Sequence, residues 1–202
     1  HNALFFLCFR PSAHVVLDVH GVVPEEVKQQ GHSWVALWYS FVERYIVRRC
    51  DTLVCVTSSM LAHLKFKHGV REKRKELILP ILPSVDKTYD SDHILRSRRN
   101  ELSVIYAGGM QVWQNLEIMF AAAESQTLMH YTFLTGDLAR FEARLKGRSI
   151  SACDCLTASP GDVKYYYLAH EYGFILRDDI LVNRVACPTK LVEYLYWGVI
   201  PI

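Results

Sequence analysis

The sequence lacks an apolar run long enough to cross a bilayer. The run from Ala3 to Phe9 falls far short of the roughly 20 residues a spanning helix needs. It also lacks an excess of either charge. Lys and Arg number 23 against 21 Asp and Glu, a formal net charge of +2. That balance is too even for a nucleic-acid binder, which gathers basic residues on one face. No internal repeat and no low-complexity segment is visible, which argues against a solenoid or a disordered linker protein. Cys153-Asp154-Cys155 has no second ligand pair at zinc-like spacing, so a structural zinc site is not indicated. Gly108-Gly109 lacks the spacing of a dinucleotide fingerprint.

What is present is a chain of 202 residues, 50% of them hydrophobic. That suffices for one medium domain or two small ones with real cores. The six cysteines, Cys8, Cys50, Cys55, Cys153, Cys155 and Cys187, are scattered through apolar segments. With no signal peptide in view, they read as reduced, buried thiols of a cytoplasmic protein.

Strands and helices alternate along the chain, which predicts an α/β fold with parallel sheets and flanking helices. Val15–Val19 reads as a strand running into His20-Gly21, and Pro24-Glu25-Glu26 opens the next helix. Ser33 is a candidate cap for a helix in which Trp38, Phe41, Val42, Tyr45 and Ile46 recur at spacings of three and four. That aromatic face suits a membrane surface or the core, and core packing is the expectation. Thr52–Val56 is a strand, and Thr57 caps a helix that Gly69 stops. Leu77–Leu82 is the next strand. The runs Arg71–Glu76 and Arg98-Arg99 read as solvated loops, or as contacts to anionic lipid.

Leu102–Ala107 is a strand that runs into Gly108-Gly109, and Gln114-Asn115 leads into a helix from Leu116 to Glu124. Strand, glycine turn and helix make either a plain βα turn or a phosphate cradle. His130–Leu134 is another strand. Gly136 follows it, and Asp137 is placed to cap a helix. Ser149–Cys155 is a strand, and Ser159-Pro160 starts a helix carrying Tyr165, Tyr166 and Tyr167. These three cannot all face one side.

The stretch Tyr172–Ile202 is the focus of the chain. Gly173–Leu176 reads as a short buried strand. A polar loop with Arg177, Asp178, Asp179, Asn183 and Arg184 follows it. Pro188 opens a helix, Gly198 closes it, and Val199–Ile202 resumes as a strand. Thr189 and Lys190 lie in the first helical turn, with Glu193 three residues beyond Lys190 on the same face. The N–H groups at such a helix start suit a phosphate, and Lys190 adds a full charge. Glu193 suits a pair of vicinal hydroxyls, as a ribose offers. An arbitrary Lys-x-x-Glu is a solvated pair worth a few tenths of a kcal/mol. Here the loop, the Pro188 start and the following strand point to a site.

Two strings, YAGGMQVWQN (106–115) and YGFILR...ACPTKLVEYLYWGVIPI (172–202), resemble GT-B glycosyltransferases of the group-1 or family-4 type. The resemblance implies two Rossmann-like domains, the first lacking its front part, since the chain opens on His1-Asn2, and the second truncated at its C-terminus, since the chain stops within a strand. It divides the chain into an acceptor-side domain over 1–86, a linker over 87–100 and a nucleotide-sugar domain over 101–202. The implied reaction moves a sugar from a nucleoside diphosphate to an acceptor hydroxyl, with retention, without a bound metal or cofactor. The implied setting is bacterial surface polysaccharide or glycolipid synthesis.

By the same resemblance Lys190 and Arg177 meet the donor diphosphate and Glu193 meets the ribose. Gly108, Gly109, Gln114, Asn115, Asn183 and Thr189 complete the donor site. From the residues alone His20, past the end of a strand, reads first as a turn histidine bonded to backbone; the resemblance implies that it faces donor sugar and acceptor. The family carries a second glutamate eight positions before the first, and Val185 stands there instead. Asp178, Asp179 and Asn183 are candidates for its place. The partners implied are a nucleotide-sugar donor and a saccharide or lipid-linked acceptor. Peripheral contact with the inner face of the membrane is open, and nucleic acid is not a partner. The missing glutamate keeps two other readings in play, a non-catalytic nucleotide-sugar binding module and a related epimerase.

Overall fold

The computed structural model describes residues 13–69, 74–83 and 100–202. The expectations for Ala3–Phe9, Cys8, residues 71–73, most of the linker and Arg98-Arg99 lie outside these residues. The chain divides into two compact units. One takes the described residues up to Ile81 together with Asp179–Cys187, and the other takes Leu82–Asp178 with Pro188–Ile202.

In the first unit, β1 (Val16–Val19) leads through α1 (Val23–Gln29) and α2 (Ser33–Arg49) to β2 (Thr52–Cys55). Then follow α3 (Ser58–His68) and β3 (Lys75–Ile78). The strands are parallel in the order β1-β2-β3. Every residue of β2 is buried, as befits a central strand covered on both faces. The Thr57 hydroxyl oxygen accepts from Met60 N–H at 3.0 Å and caps α3, as its sequence position predicts. The same hydroxyl donates to the Val185 carbonyl at 2.6 Å, on α7 (Leu181–Val185).

Four expectations for this unit need correction. Ser33 opens α2 without capping it; His32 holds the cap position and no side chain bonds there. Trp38 and Phe41 are exposed, while Val42 and Ile46 are buried. The three-and-four spacing contains two stripes, and only the one through Ala36, Val42, Ile46 and Val47 packs inward. Arg74 is not a solvated loop residue. It is buried at the head of β3, donating to the Val47 carbonyl at 2.7 Å and to Glu76 at 2.9 Å. The third strand runs Lys75–Ile78 instead of Leu77–Leu82, because Pro80 and Pro83 remove ladder donors.

In the second unit β4 (Asn100–Ala107) runs through a short 3-10 turn (Val112–Gln114) into α4 (Leu116–Ser125). Then come β5 (His130–Leu134), α5 (Leu138–Leu145), β6 (Cys153–Leu156), α6 (Val163–Ala169) and β7 (His170–Gly173). The unit ends with α8 (Thr189–Tyr196) and β8 (Ile200–Pro201). All strand pairs are parallel, in the order β6-β5-β4-β7-β8. The chain winds outward from β4 first one way, then the other. This order places a crevice at the carboxyl ends of β4 and β7, where open α/β sheets bind ligands.

Alternate residues of β4 supply two cores. Val104 and Tyr106 pack with Phe120, Phe133 and Phe141, and Ile105 packs with Tyr167, Tyr194 and Trp197. The Asp137 carboxylate accepts from Arg140 N–H at 3.2 Å, the expected cap of α5. Tyr167 is buried and Tyr165 exposed, so the tyrosine run divides as the helix geometry requires. The α6 helix begins at Val163, not at Ser159-Pro160. Those residues form a turn closed by Ser159 donating to the Asp162 carboxylate at 2.6 Å. The strand expected at Gly173–Leu176 runs His170–Gly173, but its hydrogen bonding continues. Phe174 N–H donates to the Ile105 carbonyl at 2.9 Å, and Ile175 N–H to the Ile202 carbonyl at 2.8 Å. Cys50 and Cys55 are buried free thiols as expected, whereas Cys153, on the edge strand β6, is exposed.

Candidate functional site

The site in the second unit begins with helix placement. Pro188 holds the N-cap position of α8, and Gly198, at φ +69°, lies just past its end. That backbone conformation suits glycine at a helix stop. Tyr194 anchors the helix to the sheet. Its hydroxyl is shared between the carbonyls of Ile105 and Phe174, at 3.3 and 3.4 Å. A Cβ on Gly173 would lie 2.5 Å from the Tyr194 ring, so the contact requires glycine there.

Held this way, α8 delivers Lys190 to the carboxyl end of β4. The side chain is buried. Its ammonium lies 3.8 Å from the centroid of the Tyr106 ring and donates to Gln114 Oε1 at 3.2 Å. A Cβ on Gly108 would sit 2.7 Å from Lys190 Nζ, so this glycine leaves the ammonium its room. Tyr106 is itself fixed by donating its hydroxyl to the Gly109 carbonyl at 2.6 Å. Burial pushes the Lys190 ammonium down to about 7, Arg177 pushes it the same way, and Glu193 offsets part of the fall. Burial also lowers Arg177, with Tyr106 opposing the fall. Two cations of one crevice thus act against each other. An anion placed between them would relieve both the repulsion and the desolvation.

One turn on, Glu193 accepts from the Tyr167 hydroxyl at 2.9 Å. Burial and the nearby Glu193 carboxylate raise the Tyr167 phenol well above its usual range, so it stays a donor. Glu193 lines a cavity of about 710 Å³, which Gly108, Gly136, Lys164 and Trp197 also border. That volume is in the range of small-molecule sites.

The structure therefore brings Gly108, Gln114, Lys190 and Glu193 together, with Arg177 in electrostatic reach. Gly109 meets them through its carbonyl. Asn115 takes a left-handed conformation, φ +53°, at the start of α4. Thr189 is exposed in the first turn of α8. Asn183 lies on α7, which belongs to the first unit. Tyr106 and Tyr167 are site residues that the sequence reading missed. The signal for Tyr106 was its position just before the glycine pair, at a strand end. Nothing in sequence pairs Tyr167 with Glu193.

In the first unit His20 follows β1 and pairs with Asp18 at 2.9 Å, both side chains more than half exposed. It borders a cavity of about 470 Å³ with Leu17, Val23, Tyr39 and Val42, a mainly apolar lining. Among the described residues no cluster of three or more His, Cys, Asp or Glu side chains is placed to hold a metal ion. No described helix is long and apolar enough to cross a membrane.

No protein-family model matches the sequence, and no curated protein matches it. Among solved structures, the chain is similar to one in a crystal structure of a GtfA/B complex, with a TM-score of 0.51 and 11% sequence identity. The similarity covers 79% of this chain and 31% of that one. This chain therefore spans less than a third of the length of the chain it matches. At that identity the likeness is one of fold. The fold is the α/β class that the sequence resemblance implies, two Rossmann-like units of GT-B type with parallel sheets and flanking helices.

Proposed function

We propose that this chain is part of a glycosyltransferase that moves a sugar from a nucleoside diphosphate to an acceptor hydroxyl. The observation that carries this reading is the convergence of Lys190 and Arg177 at the carboxyl end of β4, beside the cavity that Glu193 borders. A buried ammonium with a depressed pKa, opposed by a second cation, is a receptor for a polyanion. A diphosphate supplies it. Glu193, oriented by Tyr167, accepts from the two ribose hydroxyls, and the cavity beside it takes the nucleoside.

In the transfer step the bond between the sugar's anomeric carbon and the β-phosphate oxygen breaks. The acceptor oxygen forms the new bond to that carbon, and its proton passes to the departing β-phosphate oxygen. Charge grows on the departing diphosphate, and Lys190, Arg177 and the N–H groups at the start of α8 stabilise it. No metal is needed for that neutralisation. We assign His20, oriented by Asp18, to the transfer step, and the mainly apolar cavity beside it to the acceptor. Retention of anomeric configuration, a saccharide or lipid-linked acceptor, and work at the cytoplasmic face of a bacterial membrane belong to the same proposal.

A screen of nucleoside diphosphates for thermal stabilisation tests the reading. One of them raises the melting temperature in proportion to the logarithm of its concentration. A chain that none of them stabilises would be no donor-binding unit.

A further inference from the structure

The apolar face of α2 that does not pack is a feature the donor site leaves unexplained. Trp34 is 86% exposed and Leu37 63%, and Trp38 and Phe41 are more than half exposed. Residues 34, 37, 38, 41, 44 and 48 recur at helical spacing and form one stripe. Its first half is apolar and aromatic, with Trp38 stacked on Phe41 at 6.0 Å between ring centroids. Its second half carries Arg44 and Arg48, both exposed, with Arg49 beside them and stacked 4.2 Å over the Tyr45 ring.

Glu43 is the one acidic residue of α2. It points away from this stripe and accepts from Lys67 and His68, each at 2.7 Å. Arg48 also donates through Nε to the His68 carbonyl at 3.0 Å, and the stripe itself holds arginines and no acidic residue of α2.

We propose that this face of α2 seats the protein on the surface of an anionic phospholipid bilayer. Indole rings are enriched at the water–lipid boundary, because an apolar body sits in the acyl edge while the N–H stays wet. Arginines on the same stripe meet the phosphate headgroups. The helix lies in the plane of the interface, as an apolar stripe flanked by charged positions requires. A bilayer fits an aromatic-plus-basic stripe on a single helix better than a protein partner does. The indole rings match the acyl edge and the arginines match the phosphate layer, so one stripe meets both levels of the bilayer. The inference rests on the lipid-linked acceptor of the proposed function for its purpose. Its test uses neither nucleotide nor acceptor, so either can fail without the other.

The test is flotation of the purified chain with vesicles of phosphatidylcholine, with and without phosphatidylglycerol. The chain floats with the mixed vesicles, and salt weakens the association. The double variant Trp34→Ser/Trp38→Ser loses about tenfold or more in partitioning. Arg44→Gln loses about fivefold. Trp34→Tyr/Trp38→Tyr retains most of the binding, and far-UV circular dichroism confirms that each variant is folded. Brominated lipid quenches the tryptophan fluorescence of the unmodified chain. Equal flotation of the serine double variant and the unmodified chain would overturn the proposal. So would absence of flotation with anionic vesicles. A lipid-free dimer, seen by ultracentrifugation and dissolved by the serine variant, would also overturn it, since a second copy would then own the surface.

Discussion

The ammonium of Lys190 lies 3.8 Å from the centroid of the Tyr106 ring, and the space that Gly108 leaves empty lets it stay there. A strand residue, a glycine turn and a helix start thus build the proposed diphosphate receptor. The ring is the platform, because a cation over an aromatic face keeps part of its stabilisation when water leaves.

Gly108→Ala tests that packing. The added Cβ would meet the end of a flexible side chain 2.7 Å away, not backbone. The fold should survive with a melting temperature close to the unmodified chain. Nucleoside diphosphate affinity, read by calorimetry, should fall about tenfold or more, because the ammonium is displaced. Unchanged affinity would mean that the ammonium's position does not matter to binding.

Lys190 links binding to pH. Its pKa in the folded chain is about 7, against an ordinary value of 10.5. Between those values the unfolded chain holds a proton that the folded chain does not. Its contribution to stability therefore rises with pH from about 7 towards 10.5. The ligand-free melting temperature should rise over that window relative to Lys190→Met. A bound diphosphate raises the pKa again, so binding at pH 8 should take up close to one proton. Calorimetry in buffers of different ionisation enthalpy measures that uptake, and Lys190→Met should abolish it.

Glu193→Gln should weaken the nucleoside diphosphate much more than inorganic diphosphate, since the carboxylate is assigned to the ribose. A loss of about 1.5–3 kcal/mol is expected for a hydrogen bond to a charged group. Tyr167→Phe should reproduce part of it, by releasing the carboxylate from its 2.9 Å bond. Equal effects on both ligands would reassign Glu193.

Gly173→Ala addresses the anchor of α8. Its Cβ would fall 2.5 Å from the Tyr194 ring, which is fully buried and cannot move aside. Overpacking of this kind costs about 1–3 kcal/mol. Thermal unfolding should show a fall of several degrees. An unchanged melting temperature would show that the ring has room.

The alternating strands and helices were legible in the sequence because their periodicities are local. Pro188, Gly198, Thr57 and Asp137 mark element ends by chemistry that acts within one turn, and each lies where that chemistry predicts. Lys190 and Glu193 were legible as a pair because helical spacing puts them on one face. Tyr106 and Tyr167 were not, since their roles depend on side chains 84 and 26 positions away along the chain. The α2 face failed for a related reason. Residues 38, 41, 42, 45 and 46 recur at helical spacing whether they face core or solvent, and only the packed fold separates Trp38 and Phe41 from Val42 and Ile46. Val185, at the position where the resemblance implies a second glutamate, has a structural place of its own: it is buried, and its carbonyl receives the Thr57 hydroxyl.

The measurement that tests the account most directly is calorimetric titration of UDP and GDP into the unmodified chain and Lys190→Ala. The account predicts that one of these nucleotides binds the unmodified chain, and that the variant, with an unchanged or raised melting temperature, binds it about tenfold or more weakly, a loss of at least about 1.4 kcal/mol. Equal affinity in the two proteins would contradict it, because the buried ammonium over Tyr106 would then not be where the diphosphate is held.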